Sequence, residues 1–286
     1  MRKLFAILTI ITAFALVLGG CNTTPPASQP EAPISDATDG NGVEPGNLIP
    51  VSIGATVVPH AEVLYSLVDT LKEAGVELNV VEFADYTLVN TALTEGQIDA
   101  NYFQHIPYLT SYNENAGGDL VPVITVHIEP IGAYSNKITD VSELADGATI
   151  AIPNDDTNEG RALLLLQSQG LITLKEEAGL TATPLDIVDN PKDLKFVELD
   201  AAMLPRTLDE TDLSVINTNY ALEAGFNPTE DAVFIEGADS PYVNVVAVRS
   251  EDQNAPWVSI LEEALHSDAT RQFILSTYEG AVVPVF

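Results

Sequence analysis

From residue 50 onward the chain alternates two hydrophobic rhythms. Residues 51–57 form a short β-like apolar run. After Pro59, Leu64, Leu67, Val68 and Leu71 recur at three- and four-residue steps until Gly75, the spacing of one helix face and its stop. Residues 76–83 read as a strand; Leu88, Ala92 and Leu93 mark a second helix closed by Gly96; residues 98–103 predict a strand and 107–115 a helix. The same texture returns between 149 and 236, with strands over 149–152, 195–199 and 213–217 and a helix over 162–169 that carries four consecutive leucines. A strand over 243–248 and helices over 255–266 and 268–278 close the chain. Strand–helix alternation at this spacing predicts parallel βαβ units and an α/β fold. Two such blocks with a late return segment predict two lobes, 48–133 plus 239–286 and 134–238. Segments crossing near 129–135 and 237–244 would join them, with a ligand cleft between.

The first 47 residues follow a different pattern. A basic start (Arg2, Lys3) precedes an uncharged apolar run of 15 residues from Leu4 to Leu18, then Gly19, Gly20 and Cys21. This is the layout of a secretory signal peptide over residues 1–20, and the run falls short of the roughly 20 residues a membrane-spanning helix needs. Leu18-Gly19-Gly20-Cys21 resembles the lipobox of bacterial lipoproteins, which implies lipidation of Cys21 as the mature N-terminus. An ordinary signal peptide with a chance cysteine is the alternative. Residues 22–47, rich in Pro, Thr, Ser, Ala, Asp and Gly, cannot bury enough surface to offset their ordering entropy and read as a tether. Cys21 is the single cysteine, so the chain forms no internal disulfide and its core alone must hold the exported part.

Forty-two acidic residues face eleven basic ones, a net charge of −31. Such a field repels nucleic acid and anionic lipid headgroups, and it argues against roles built on either. Phosphate-loop, dinucleotide, zinc-protease and nucleophile-elbow motifs are absent from the sequence. The four histidines (His60, His105, His127, His266) show no short ligand spacing, so no metal and no cofactor are expected. Positive charge is scarce: past residue 20 the arginines are Arg161, Arg206, Arg249 and Arg271. Arg161 lies just inside the Asp/Asn-rich entry to the leucine helix. A guanidinium there, beside helix N–H groups, suits a carboxylate; a surface pair with Asp155 or Asp156 is the equal alternative. Tyr86 and the cluster Tyr102-Phe103-Gln104-His105-Ile106-Pro107-Tyr108 fall at strand-to-helix junctions. They could line a pocket for an apolar side chain or serve as ordinary core.

With these motifs in view the sequence resembles the methionine-binding lipoproteins of NlpA type that serve methionine ABC importers. The resemblance is carried from residue 50 to the end by Phe83-Ala84-Asp85-Tyr86, Asp99-Ala100-Asn101-Tyr102-Phe103-Gln104-His105, Ile152-Pro153-Asn154-Asp155, Gly160-Arg161-Ala162-Leu163-Leu164-Leu165-Leu166, Val215-Ile216-Asn217-Thr218-Asn219-Tyr220-Ala221 and Ser240-Pro241-Tyr242-Val243-Asn244. It implies a two-lobed periplasmic-binding-protein fold, type II-like, closing on one amino acid, methionine in the L form and also the D form. It further implies that Tyr86, Phe103, His105 and Tyr108 surround the ligand side chain, Arg161 binds its carboxylate, and Asn217 and Asn244 hydrogen-bond its backbone. No residue follows from it for the ammonium group, and His60 and Glu62 stay unassigned. The implied partners are the permease and ATPase subunits of an importer. The implied place is the outer face of the cell membrane, held by lipid on Cys21. A methionine-containing dipeptide or another small amino acid is the alternative ligand. The alternative classes are a hydrolase built on His105 and an adhesin that has lost its pocket; the reading adopted is a binder, not an enzyme.

Overall fold

The computed structural model describes residues 48–237 and 240–286. The signal peptide, Cys21 and the tether lie outside them. Among the described residues thirteen strands follow one another: β1 Ile49–Thr56, β2 Val76–Phe83, β3 Ala100–His105, β4 Leu120–Ile128, β5 Gly132–Tyr134, β6 Thr149–Pro153, β7 Thr173–Leu174, β8 Ile187–Asp189, β9 Lys195–Leu199, β10 Leu213–Ile216, β11 Phe234–Ile235, β12 Val243–Arg249 and β13 Val283–Pro284. Six form one sheet in the order β13-β4-β12-β3-β1-β2, five form a second in the order β11-β5-β10-β6-β9, and β7 pairs with β8. The helices are α1 Glu62–Tyr65, α2 Val68–Glu73, α3 Val89–Thr94, α4 Ile106–Ala116, α5 Asp156–Ser168, α6 Thr218–Glu223, α7 Pro228–Asp231, α8 Pro256–Leu265 and α9 Asp268–Tyr278.

The parallel units expected from the alternation are present, since β1 runs parallel to β2 and β3, and β6 runs parallel to β9 and β10. The sheets are nonetheless mixed, because the return strand β12 lies antiparallel between β3 and β4, and β5 is antiparallel to β10. β4 was not among the expected strands. Its Pro122 cannot donate to a ladder, and the pairing register of β12 shifts beside Pro122, between Val246 and Ala247. The helix expected after Pro59 is broken into an irregular turn at Val57–Ala61, α1 and α2, while Val63, Leu64, Leu67 and Leu71 still face the core. The leucine helix begins six residues earlier than its apolar pattern, because Asp155 caps its first turn by accepting from the Asn158 N–H.

Each sheet carries its own core. Val51, Ile53, Leu64, Leu71, Ile124, Val246 and Leu261 pack about the first; Ile150, Ile152, Leu163, Leu166, Leu213 and Val215 pack about the second. Gly160 is required where α5 meets the Gly179–Thr181 turn. A Cβ there would sit 2.2 Å from the Leu180 carbonyl oxygen, so this close approach fixes the depth at which its neighbour Arg161 is held. The chain passes between the sheets at 129–131 and again after Ile235. The crossings touch one another through Glu236 N–H to Ile131 O at 2.9 Å.

Candidate functional site

A small cavity opens at the carboxyl ends of β1, β3, β6 and β10, where α/β sheets present their loops. The seven residues expected to meet a ligand, Tyr86, Phe103, His105, Tyr108, Arg161, Asn217 and Asn244, all line it. So do six that were not assigned: His60, Gln104, Glu129, Asn158, Thr218 and Asn219.

One wall comes from the first sheet. Phe103 and His105 end β3, Tyr108 lies in the first turn of α4, and Tyr86 follows β2. Tyr86 and Tyr108 each pack against Phe103 with ring centroids 5.8 Å apart. His105 caps α4, its Nδ1 accepting the Tyr108 N–H at 3.1 Å. That bond leaves the proton on Nε2, which donates to Asn158 Oδ1 at 3.2 Å. Burial, reinforced by the nearby Arg161 charge, pushes the His105 pKa down to about 3, so this neutral tautomer persists at ordinary pH.

The facing wall comes from the second sheet. Both Asp155 oxygens accept from Asn158 Nδ2, at 2.9 and 3.0 Å, which turns Asn158 Oδ1 toward His105 and toward Asn217 Nδ2 at 2.8 Å. Asn217 Oδ1 is then left buried without a partner among the described residues. Asn219 is set in the opposite sense. Tyr86 O–H, its pKa raised well above ordinary by burial, donates to Asn219 Oδ1 at 2.6 Å, and Asn219 Nδ2 is the orphan. An unpaired buried polar atom costs roughly 1–3 kcal/mol, so one free acceptor and one free donor mark where a dipolar guest satisfies the wall.

Arg161 is 3% exposed and lines the cavity. It does not pair with Asp155 or Asp156. Its Nε bonds both Glu236 oxygens at 3.2 Å, its NH2 bonds Glu236 and the Glu129 carbonyl (2.7 Å), and the Tyr242 ring lies 4.2 Å from its Cζ. Both crossing segments therefore converge on one guanidinium. Its NH1 makes no hydrogen bond among the described residues. Of the α5 N–H groups expected to assist it, that of Asn158 is occupied by the Asp155 cap.

The floor holds a further network. Asn244 is the register partner of His105 on one side and His127 on the other. Tyr102 O–H donates to His127 Nδ1 at 2.6 Å, and His127 Nε2 donates to Glu129 Oε1 at 2.7 Å. His60 bonds Thr56 Oγ1 through Nδ1 at 2.7 Å, and its Nε2 lies 3.1 Å from Asn244 Oδ1 and 3.2 Å from Glu129 Oε1. Burial holds the His60 pKa down to about 4. Burial works to raise Glu129, but the two histidines, and after them Arg161, more than offset it, so the carboxyl stays ionised. His60, His127 and Glu129 also have the donor types of a zinc site. Two ligands of one tetrahedral zinc, bonded at 2.0–2.2 Å, sit roughly 3.3 Å apart. The His127–Glu129 separation is instead that of a hydrogen bond. The one sequence signal for this pair was the i, i+2 spacing of His127 and Glu129 at the end of a strand; for His60 no local signal exists.

Comparison with known proteins places the geometry in context. The family model described as NlpA lipoprotein matches residues 51–286. The D-methionine-binding lipoprotein MetQ of Escherichia coli K12 is 46% identical over 211 residues, 73% of this chain and 78% of its own. That of Salmonella typhimurium is 44% identical over 236 residues, 82% and 87%. A nutrient binding protein from Burkholderia cenocepacia, solved bound to methionine, is 46% identical with a TM-score of 0.80, covering 82% of this chain and 100% of its own.

Proposed function

This chain belongs to the NlpA lipoprotein family, and from that membership we propose that it captures methionine outside the cytoplasm and hands it to an ABC importer. The observation that carries the reading is the pairing of walls around one small cavity. A buried guanidinium and two orphaned amide atoms stand opposite three aromatic rings. In this reading Arg161 NH1 addresses the ligand carboxylate, Asn217 and Asn244 hydrogen-bond its backbone, and Tyr86, Phe103, His105 and Tyr108 enclose its side chain. A thioether against aromatic rings gains about 0.3–1.5 kcal/mol per contact.

The two sheets act as lobes that close by rotation about the crossing segments at 129–131 and after Ile235. Exclusion of water then strengthens the charge-assisted bonds. Cys21 carries the lipid that holds the protein at the outer face of the membrane, and the permease and ATPase of the importer receive its cargo. Among the described residues no helix is long and apolar enough to cross a membrane.

The test is calorimetry and thermal melting of the purified full-length protein with L-methionine, D-methionine, the other amino acids and a methionine dipeptide. Methionine at a hundred times Kd stabilises by about 2.7 kcal/mol. Absence of any melting shift across the panel overturns the reading, and a dipeptide that binds more tightly than the free amino acid replaces the ligand.

A further inference from the structure

We propose that Asp156 is a latch between the lobes: its carboxylate, held by Ser111 and Asn115 on the opposite side, sets how long the closed molecule keeps its cargo. This goes beyond the amino-acid reading above and rests on it. Asp156 opens α5, directly after the capping Asp155. The two neighbouring carboxylates serve different ends. Asp155 turns inward to cap α5 and orient Asn158, whereas Asp156 is exposed and reaches across the seam to α4. There its Oδ2 accepts from Asn115 Nδ2 at 2.9 Å and from Ser111 Oγ at 3.2 Å. Ser111 and Asn115 are four residues apart and so share one face of α4. Asn115 Nδ2 also donates to Ser111 Oγ at 3.2 Å, which closes the triad. The partial positive charge of a helix N-terminus favours a carboxylate in its first turn, which suits Asp156 to the α5 side.

The seam around this triad is not a core. Leu109 of α4 packs with Phe103 and Val245, while Leu163 and Leu166 of α5 pack with Ile150 and Val215. No buried apolar cluster among the described residues contains side chains of both helices. Two clefts share Ser111, Asn115, Asp156 and Thr157 in their walls, one running past Tyr112 and the other past Ile106 and Leu180. Neither is lined by Lys or Arg, so α4 answers the charge with neutral donors alone. Away from the crossing segments, two other side-chain hydrogen bonds join the lobes among the described residues, Tyr86 to Asn219 and His105 to Asn158. Those four residues line the ligand cavity; Ser111, Asn115 and Asp156 do not. The triad therefore biases the balance of open and closed forms without touching the bound molecule. Its loss speeds release and spares capture, which takes place on the open form.

The experiment measures L-methionine on full-length wild type, Asp156→Ala, the pair Ser111→Ala with Asn115→Ala, and the combination of all three. Release of radiolabelled methionine is followed by rapid filtration after an unlabelled chase, Kd by calorimetry, and the association rate is taken from the two. Asp156→Ala and the α4 pair should each raise the dissociation rate about fivefold with association within about twofold, and the combination should release no faster than either. Dissociation within about twofold of wild type in a folded α4 pair overturns the proposal and leaves the amino-acid reading standing. So do effects that multiply in the combination, which deny that the two sides act on one another. An association rate that falls as far as dissociation rises also overturns it, since the site itself is then damaged. Should Asp156→Ala fail to fold, the α4 pair decides alone by its rates. A wild type that does not bind methionine overturns the underlying reading instead.

Discussion

The two walls of the cavity are built by opposite means. The aromatic wall is a continuation of a core: Phe103 packs with Val89, Leu93, Ile98 and Leu109, and Tyr86 and Tyr108 pack against that same cluster. The polar wall is held by hydrogen bonds that run from Asp155 through Asn158 to Asn217 and from Glu236 to Arg161. The first wall is stable without a guest, whereas the second is left with unsatisfied atoms that a guest completes. Damage to the aromatic side should therefore appear as lost fold stability, and damage to the polar side as lost affinity.

The sharpest test of that contrast is Arg161→Ala. Removing one partner of a desolvated ion pair costs roughly 3–5 kcal/mol, so affinity for methionine should fall at least about a hundredfold by calorimetry. Retained tight binding would strip the polar wall of its leading part. Phe103→Ala should instead lower the stability of the ligand-free protein by about 3 kcal/mol, read from its urea midpoint. A loss below about 1 kcal/mol would mean that the aromatic wall is not core. Asn217→Ala removes the orphaned acceptor and should weaken methionine about tenfold with little change in melting temperature. Tyr86→Phe deletes the 2.6 Å bond to Asn219 across the cleft and nothing else, for a loss of about fivefold.

The most diffuse effect is on pH. His60 takes up a proton near 6.5, the ordinary value of a histidine, when unfolded and only near 4 in the fold, where burial opposes its charge. Between those values the unfolded chain holds the extra proton, so stability drains away as pH falls from 6.5 toward 4, with no contribution above 6.5. His60→Gln should flatten that acid limb in melting curves; an unchanged slope would show that His60 is not its source.

The same contrast explains what could be read from the chain alone. Tyr102 to Tyr108 lie together on one strand-to-helix junction, so the aromatic wall was visible as a local cluster. Residues 76–83 and 195–199 likewise appear as strands with the expected bounds, because their composition is decided locally. The polar wall joins residues 60, 129, 158, 217, 219 and 236, and no short-range pattern relates them. Of these, Asn217 came from family likeness alone, and Arg161 rose above an even alternative only with its help. Its true partner, Glu236, is 75 residues away, beyond any reading of adjacent acids. β4 was hidden by Pro122, a residue that ordinarily argues against a strand.

Asn219 owes its orientation to Tyr86, which belongs to the opposite wall, whereas Asn158 is set by Asp155 on its own wall. An amide is nearly symmetrical in shape, so such a side chain has no fixed polarity until its neighbour arrives. Under the hinge motion proposed above, parting the halves would take Tyr86 from Asn219 and leave the polarity of that amide unset. Opening would then weaken recognition at that one amide without any competitor for the bound molecule.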